Sequence, residues 1–386
     1  MHITETEDQR LLREAIRIFV DHEAPVAKVD VWEAEKTYPA ELFAALAEQG
    51  YLALPFDQSV GGAGYGAVEM AIVGEELARP ALDVAGGYGL TVFAALNLVK
   101  HARKEQIEEH IPRVFSGAER YGLGITEPDA GSDVAGIKTR AKRSDGGYVI
   151  SGQKVFTTGA GIDGTVIHVL ARTGPAGRSR DGLSVFLVPN DAPGVELRRL
   201  DTVGRHMLGT YETFYDDVEV PESALIGEEG QGWDVVTSSL ELERVFAAAQ
   251  CAGAARSTLA LTTVYVKERE QFGRSISSFQ TVSHRLAEVL VKVEAARLLA
   301  YRAAALVDNG PKGANTEAAM AKLAASTAFQ EATELGMQLF GGYGYMKEYR
   351  IERFWREARV TTVTAGTSEI QLSIIAKDLL NGRSLT

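Results

Sequence analysis

The hydrophobic periodicity of the chain changes twice, and these changes constrain its fold more than any other feature. From Glu5 to about Glu119, apolar residues recur three and four positions apart, as in LLREAIRIFV, which predicts helices. From Tyr121 to about Gly230, short runs rich in β-branched and aromatic residues, such as GYVISGQKVFTT, alternate with turn residues. After Gly232 the helical spacing returns. The sequence therefore predicts helical, β and helical regions in that order.

These changes of pattern predict an α+β multidomain protein. A length of 386 residues exceeds what one hydrophobic core usually supports. We expect an N-terminal α-helical domain over 1–119, a middle β domain over 120–231 and a C-terminal α-helical domain over 232–386. In the last domain, alanine-rich segments predict a helical bundle. Its helices are expected at Trp233–Glu270, Ser278–Val307 and Thr316–Leu339, and from about Ser368.

Composition excludes several classes of partner. The chain has 40 basic and 52 acidic residues, and its net charge of −12 disfavours nucleic acid and anionic membranes. No run approaches about 18 apolar residues, and the amino terminus is polar and acidic, unlike a secretory signal. The single cysteine, Cys251, cannot form an intrachain disulfide. We therefore expect a cytoplasmic protein.

Common catalytic motifs are absent from the sequence. There is no GxGxxG after a strand, no GxxxxGK[ST], no HExxH and no GxSxG. The seven histidines are scattered without ligand spacing, so no metal site is expected. The pattern disfavours a metallohydrolase or a serine hydrolase.

The segment TEPDAGSD, Thr126 to Asp133, combines hydroxyls, carboxylates and a proline and glycine turn. Pro128 restricts one backbone angle, and Gly131 permits conformations closed to other residues. The hydroxyls of Thr126 and Ser132 can bond a polar ring edge. Alone, the segment is more typical of a surface turn.

Together with six further motifs, this segment resembles the acyl-CoA dehydrogenase family of flavoproteins. The motifs occur in the family's order: GQKVFTTGA, DDVEVP, GEEGQGW, REQFGRSISSFQ, QLFGGYGYMKEY and REARVTTVTAGTSEI. The resemblance spans nearly the whole chain. It implies a β-barrel-like middle domain, a C-terminal four-helix bundle, FAD as cofactor and assembly as a homotetramer.

The resemblance also assigns cofactor-binding residues. Ile125, Thr126 and Ser132 match positions at the flavin ring, and Ser132 would lie between flavin and substrate. Phe156 and Thr158 match a flavin-facing aromatic residue and its neighbouring threonine. A second set resembles residues that reach the cofactor from a neighbouring subunit: Arg269, Phe272, Gln280, Gln338 and Gly342. Thr367, Ser368 and Glu369 match a final cofactor-binding turn.

In this family, a carboxylate removes the α-proton of an acyl thioester while the β-hydrogen leaves as hydride to flavin. The usual position of that carboxylate resembles Ala365, which has no acidic group. Some branches place a glutamate instead on the first helix of the C-terminal domain, and Glu243 occupies that position here. The backbone N–H of Ala365 can still polarise the thioester carbonyl, because this donor does not depend on the side chain.

A helical wheel also distinguishes Glu243 from its neighbour Glu241. At about 100° per residue, Glu243 shares a face with Val236, Leu240 and Phe246 and has no cation on its own helix. Partial burial there is expected to raise its pKa towards that of a useful base. Glu241 lies three residues before Arg244 and can pair with it. The alternative is a solvated glutamate on an exposed face.

Substrate contacts are assigned by the same resemblance to Ser132, Glu241, Arg244 and Lys377. Arg244 matches a residue beside the CoA-binding groove, and Lys377 stands where the family often has an arginine. Leu208 and Gly159 depart from common family residues and affect the expected CoA contacts. Alanine at 365 resembles branches that accept branched or bulky acyl chains.

Three functions are compatible with these observations. The first is an acyl-CoA dehydrogenase that passes electrons to an electron-transferring flavoprotein. The second keeps fold and flavin but acts as an oxidase, a monooxygenase or a reductase. The third is a non-catalytic subunit that supports an active partner chain, an interpretation that rests on Ala365.

Overall fold

The computed structural model describes residues 5–175, 177, 179–310 and 314–383. The predicted order of helical, β and helical regions is confirmed. The first group of helices is α1 Glu7–Glu23, α2 Val26–Glu35, α3 Ala40–Glu48, α4 Ala67–Leu77, α5 Leu82–His101 and α6 Lys104–Phe115. The strands that follow are β1 Arg120–Gly124, β2 Arg140–Ser144, β3 Gly147–Thr158, β4 Thr165–Arg172, β5 Leu183–Pro189, β6 Val195–Arg199, β7 Thr210–Pro221 and β8 Leu225–Ile226.

The C-terminal elements are mostly long helices. They are α7 Gly232–Thr237, α8 Leu240–Glu268, the short strands β9 Glu270–Gln271 and β10 Arg274–Ser275, then α9 Gln280–Asp308, α10 Ala314–Phe340, α11 Ile351–Val360 and α12 Ser368–Leu380. Helix α11 is not among the predicted helices. The four-helix bundle implied by the family resemblance stays a prediction.

The chain divides into two compact units, each discontinuous in sequence. The first, here called the helical unit, contains the described residues up to Val29, Tyr65–Gly86 and the described residues from Glu241 onwards. The second, here called the sheet unit, contains Asp30–Gly64 and Gly87–Leu240. The helices that precede β1 are therefore distributed over both units.

The sheet is open, so the expectation of a β-barrel-like domain is wrong. Its strand order is β6-β7-β3-β2-β4-β5-β8, and β1 pairs in parallel with β4. Within the described residues, the edge strands β6 and β8 do not pair with each other, and closure requires such a pairing. Strand β8 has only two residues, too few to complete a ladder. One buried cluster, which includes Tyr148, Ile167 and Phe186, forms the core of the sheet unit.

The helix predicted over Trp233–Glu270 is interrupted after Thr237. The Lys100 ammonium donates a hydrogen bond of 2.8 Å to the Ser238 carbonyl, and the Ser238 hydroxyl donates to Asn97 Oδ1 at 2.7 Å. The Ser238 carbonyl therefore accepts from a side chain of α5, where a continuing helix would supply a backbone N–H. Val236 consequently belongs to α7 and does not share a helical face with Glu243.

A network of buried charges joins four helices of the helical unit. The Glu75 carboxylate on α4 lies 2.9 Å from an Arg13 nitrogen on α1, 3.0 Å from Arg256 on α8 and 2.7 Å from Arg297 on α9. Tyr301 donates a further hydrogen bond of 2.5 Å. Burial alone would raise the pKa of Glu75, but the charges of Arg13 and Arg297 outweigh it and lower this pKa to about 2. Glu75 is therefore ionised at neutral pH.

Helix α5 is, among the described helices, the one long and apolar enough to cross a membrane by length and composition. In this protein, 83% of its apolar window is buried, which is the pattern of a core helix.

Helices α4 and α8 approach each other closely at a glycine. A Cβ added to Gly253 would lie 2.1 Å from the Glu75 carbonyl oxygen, a contact that backbone atoms cannot relieve without movement. We expect Gly253→Ala to lower the free energy of unfolding by about 1–3 kcal/mol, because the two helices must separate. Urea denaturation checks this value.

Gly131→Ala is the matched control, since a Cβ at Gly131 would meet no atom within 4 Å. It should change the free energy of unfolding by less than about 0.5 kcal/mol. Equal effects of the two substitutions would contradict the assigned helix contact.

Candidate functional site

The TEPDAGSD segment forms a tight turn after β1. Glu127 and Ala130 exchange two backbone hydrogen bonds of 3.0 and 3.1 Å across Pro128 and Asp129. Gly131 is not among the glycines with positive φ, so the turn does not use the left-handed conformation that glycine permits. Thr126, like the preceding Ile125, is half-buried, and Ser132 is exposed.

A buried ion pair holds this turn on the sheet. The Lys154 side chain on β3 is fully buried, and its ammonium lies 2.8 Å from Glu127 Oε1 and 3.1 Å from the Ile125 carbonyl oxygen. Glu127 also accepts hydrogen bonds from the backbone N–H groups of Lys138 and Thr139. The backbone at Ile125 is therefore positioned by a charged side chain to which the motifs assign no role.

Both members of this pair stay charged near neutral pH. Burial lowers the pKa of Lys154 and the neighbouring Glu127 charge raises it, with a net value of about 8. Burial raises the pKa of Glu127. Lys154 and the hydrogen bonds to Glu127 lower this pKa by more than burial raises it, so the net shift is downwards. The pair is thus an ammonium and a carboxylate.

Phe156 projects from the sheet because β3 is irregular at this position. The register of β3 against β7 shifts between Lys154 and Thr157, which marks a β-bulge. Phe156 has φ of 61°, unusual for a residue with a side chain, and its side chain is 62% exposed. A core role for Phe156 is therefore excluded. Thr158, half-buried, pairs with Thr210 on β7.

In the helical unit, Glu243 lies in the first turn of α8 and is half-buried, whereas Glu241 is exposed. Arg244 is buried and donates to Asn315 Oδ1. Burial lowers the pKa of Arg244, and the charges of Glu243 and Glu241 act in the opposite direction. The expectation that Glu243 has no cation on its own helix is therefore wrong, because Arg244 interacts with both acids.

Ala365 lies in a turn between α11 and α12 with two successive left-handed residues. Ala365 has φ of 52° and Gly366 has φ of 78°. Thr367 then caps α12 by accepting a hydrogen bond of 3.3 Å from the Ile370 N–H. Ser368 is half-buried and Glu369 exposed in the first turn of this helix.

Two buried side chains bind the carbonyl groups of this turn. Gln371 Nε2 donates to the carbonyl oxygens of Ala365 at 3.1 Å and Gly366 at 3.0 Å. The Lys322 ammonium on α10 donates to the Gly366 carbonyl at 2.7 Å. The same ammonium interacts electrostatically with Arg244 and Glu369. The buried Lys322 ammonium thus bonds the Ala365 turn and also senses the charge of Arg244 in the first turn of α8.

A pocket of 440 Å³ in the helical unit contains two residues predicted to bind the cofactor, Arg269 and Gly342. The Arg269 guanidinium also lies 5.6 Å from the centre of the Tyr343 ring. Phe272 nearby is 93% exposed and has φ of 56°. The other predicted polar residues of this region and of α12, Gln280, Gln338 and Lys377, are exposed.

Comparison with known proteins identifies related chains along the entire length. Residues 6–118, 122–218 and 230–380 match the N-terminal, middle and C-terminal domains of acyl-CoA dehydrogenase. The chain is 35% identical to an acyl-CoA dehydrogenase of Bacillus subtilis, over 99% of this chain and 100% of that protein. It is 34% identical to the caffeyl-CoA reductase-Etf complex subunit CarC of Acetobacterium woodii, over 97% and 99%.

The structural similarity is equally extensive. Butyryl-CoA dehydrogenase from Megasphaera elsdenii superposes with a TM-score of 0.92 and 31% identity, over 98% of this chain and 100% of that one. Matched domains, identities above 30% and nearly complete coverage agree with the order of helical, β and helical regions. The chain therefore belongs to the acyl-CoA dehydrogenase family of FAD-dependent oxidoreductases.

Proposed function

We propose that this protein removes an α-proton and a β-hydrogen from an acyl-CoA thioester, with Glu243 as the base. The supporting observation is the environment of the two candidate positions. Ala365 offers no carboxylate, while Glu243 is a half-buried acid at the start of α8. The Lys322 ammonium donates a hydrogen bond to Gly366, beside Ala365, and its charge repels that of Arg244, beside Glu243.

The proposed roles follow from the chemistry of each group. The Glu243 carboxylate accepts the α-proton, and Arg244 supplies a neighbouring positive charge that stabilises the carboxylate before transfer. The Ala365 N–H donates to the thioester oxygen, where negative charge develops. Bound FAD would supply the acceptor for the β-hydrogen, which leaves as hydride.

The described residues fit FAD. A flavin needs an apolar face, polar partners along its ring edge and donors for its pyrophosphate. In the sheet unit, Phe156 offers an exposed ring, and Thr126 and Thr158 carry half-buried hydroxyls. In the helical unit, Arg269 offers a cation at a pocket. These are the groups that we propose hold the cofactor.

The same proposal includes assembly as a homotetramer and transfer of electrons to an electron-transferring flavoprotein. Phe272 is almost fully exposed on a strained backbone, which suits a contact with another subunit better than contact with water. The similarity to a reductase-Etf complex subunit supports such a redox partner and favours a second candidate, reduction of an enoyl-CoA by the same site.

We expect Glu243→Gln to reduce the rate of flavin bleaching by an acyl-CoA about 10²–10⁴-fold while FAD stays bound, because the base is lost and the shape is kept. Anaerobic mixing with acyl-CoAs of varied length and branching, followed by flavin absorbance, measures this rate. Glu105→Gln replaces an exposed glutamate in the first turn of α6 and should bleach like the wild type.

Full activity of Glu243→Gln would reject the assigned base. Peroxide formed in air at one equivalent per substrate would indicate an oxidase. Activity only with an added homologous chain would indicate a supporting subunit.

We expect Lys154→Met to lower the free energy of unfolding by about 3–5 kcal/mol and to weaken FAD binding, because Glu127 loses its buried counter-charge. The double variant Lys154→Met/Glu127→Gln should lose less than the two single variants combined. Urea denaturation and FAD content per chain provide the two measurements.

Lys138→Met is the control in the same segment, since the Lys138–Asp129 pair of 2.7 Å is exposed and screened by solvent. It should leave both quantities nearly unchanged. Additive losses in the double variant would contradict the coupling of Lys154 to Glu127.

We expect Phe272→Asp to convert tetramers into smaller species and to lower FAD content, because a charge would be buried in an apolar contact. Analytical ultracentrifugation and flavin absorbance measure both effects. Leu11→Asp, at an exposed leucine on α1, should retain tetramers and FAD. A Phe272→Asp variant that stays tetrameric with full FAD would exclude this contact.

A further inference from the structure

We propose that Gln371 and Lys322 are positioning residues that hold the Ala365 turn so that the amide N–H of Gly366 is directed towards the oxygen of a thioester enolate. This inference rests on the proposed function. It adds two buried side chains that would act through the backbone rather than by touching the substrate.

The first observation is the direction of the bound carbonyl groups. Gln371, fully buried, donates to the carbonyl oxygens of Ala365 and Gly366, and Lys322 donates to the latter. In a planar trans peptide, the N–H of the following residue points away from the carbonyl oxygen. The Gly366 N–H is therefore directed away from Gln371.

The second observation is that the donors of this turn are available. Within the described part of the chain, the N–H groups of Ala365 and Gly366 make no hydrogen bond, whereas the neighbouring Thr364 N–H bonds to Val360 and the Ser368 N–H to Thr362. Ala365 is also exposed. Two adjacent amide donors at an exposed, left-handed turn form a concavity suited to an anion.

The third observation is the charge behind the turn. Lys322 is only 3% exposed, and its surroundings include Cys251 and Arg244 on α8 and Glu369 on α12. Burial lowers its pKa to about 8, Arg244 acts in the same direction, and Cys251 and Glu369 oppose it. At neutral pH a buried positive charge therefore lies behind the turn, where it would stabilise negative charge on an enolate oxygen.

The arrangement is not one that optimises stability. Gln371 Oε1 is buried without a hydrogen-bond partner in the described chain, and Ala365 holds a left-handed conformation that disfavours a side chain. Unfavourable features of this kind concentrate where a backbone conformation serves a function. Here they maintain the contact to the Ala365 carbonyl that orients the Gly366 N–H.

The test uses the FAD-loaded tetramer and acetoacetyl-CoA, whose acidic α-protons allow an enolate to be observed by near-ultraviolet absorbance without turnover. We expect Gln371→Met to lower the enolisation constant of the bound thioester about 10–100-fold, because misplaced oxyanion donors stabilise the enolate less. The dissociation constant of acetoacetyl-CoA, extrapolated to low pH, should change by less than about threefold, because binding of the neutral thioester does not depend on the oxyanion donors.

Gln106 offers a matched structural control. It is also a buried glutamine, and its Nε2 donates to two backbone carbonyls, those of Ser223 and Leu225, in the sheet unit. Gln106→Met should lower the unfolding temperature much as Gln371→Met does and leave the enolisation constant unchanged. Equal loss of enolisation in both variants, or none in Gln371→Met, would overturn the positioning role.

Lys322 provides an independent test should Gln371→Met fail to fold. Lys322→Met should lower enolisation, and Lys322→Arg should restore most of it, because a cation and a donor return. Loss in both variants to the same extent would reject the electrostatic role. A wild-type protein that binds acetoacetyl-CoA without enolising it, or does not bind it, would instead reject the proposed function.

Discussion

The buried carboxylate of Glu75 is the constraint on which the helical unit depends. Its contacts with Arg13, Arg256, Arg297 and Tyr301 connect α1, α4, α8 and α9 around one negative charge. Removing one member of such a buried network typically costs about 3–5 kcal/mol, since the remaining charge loses its compensation. Helix α8 is held by this network through Arg256, and its first turn carries Glu243.

The sheet unit uses the same kind of constraint on a smaller scale. Lys154 and Glu127 form a buried pair beneath the turn that contains Thr126 and Ser132. In each unit a buried lysine also binds a backbone carbonyl beside exposed polar groups, Lys154 that of Ile125 and Lys322 that of Gly366. Functional groups on turns can thus be rigid although the turns themselves have little apolar surface to bury.

The motifs assign roles to residues that would contact FAD or substrate, and none to the buried side chains behind them. Phe156 was expected at the flavin, and the structure places it outside the core on a bulge. Lys154, Lys322 and Gln371 were not identified, because their importance lies in contacts with carbonyl groups distant in sequence. Alternation along β3 could have indicated that Lys154 is buried, and a buried lysine requires a counter-charge.

Predictions from local pattern were wrong where contacts between residues distant in sequence decided the backbone. The helical wheel assumed one continuous helix through Val236, but Lys100 and Asn97 bind the backbone and side chain of Ser238 and end α7. Gly131 was interpreted from its conformational freedom, which the turn does not use. The barrel expectation failed because closure requires the two edge strands to pair, and β8, with two residues, is too short to do so.

By itself, the sequence determined the order of helical and β regions, the family and its cofactor, because periodicity and ordered motifs are local properties of the chain. Only the tertiary structure decided which charges are buried, which carbonyl groups are bound and which amide donors are left available at Ala365. Burial and hydrogen bonding depend on residues distant in sequence, such as Lys322 and Gly366, whose contact no local pattern encodes.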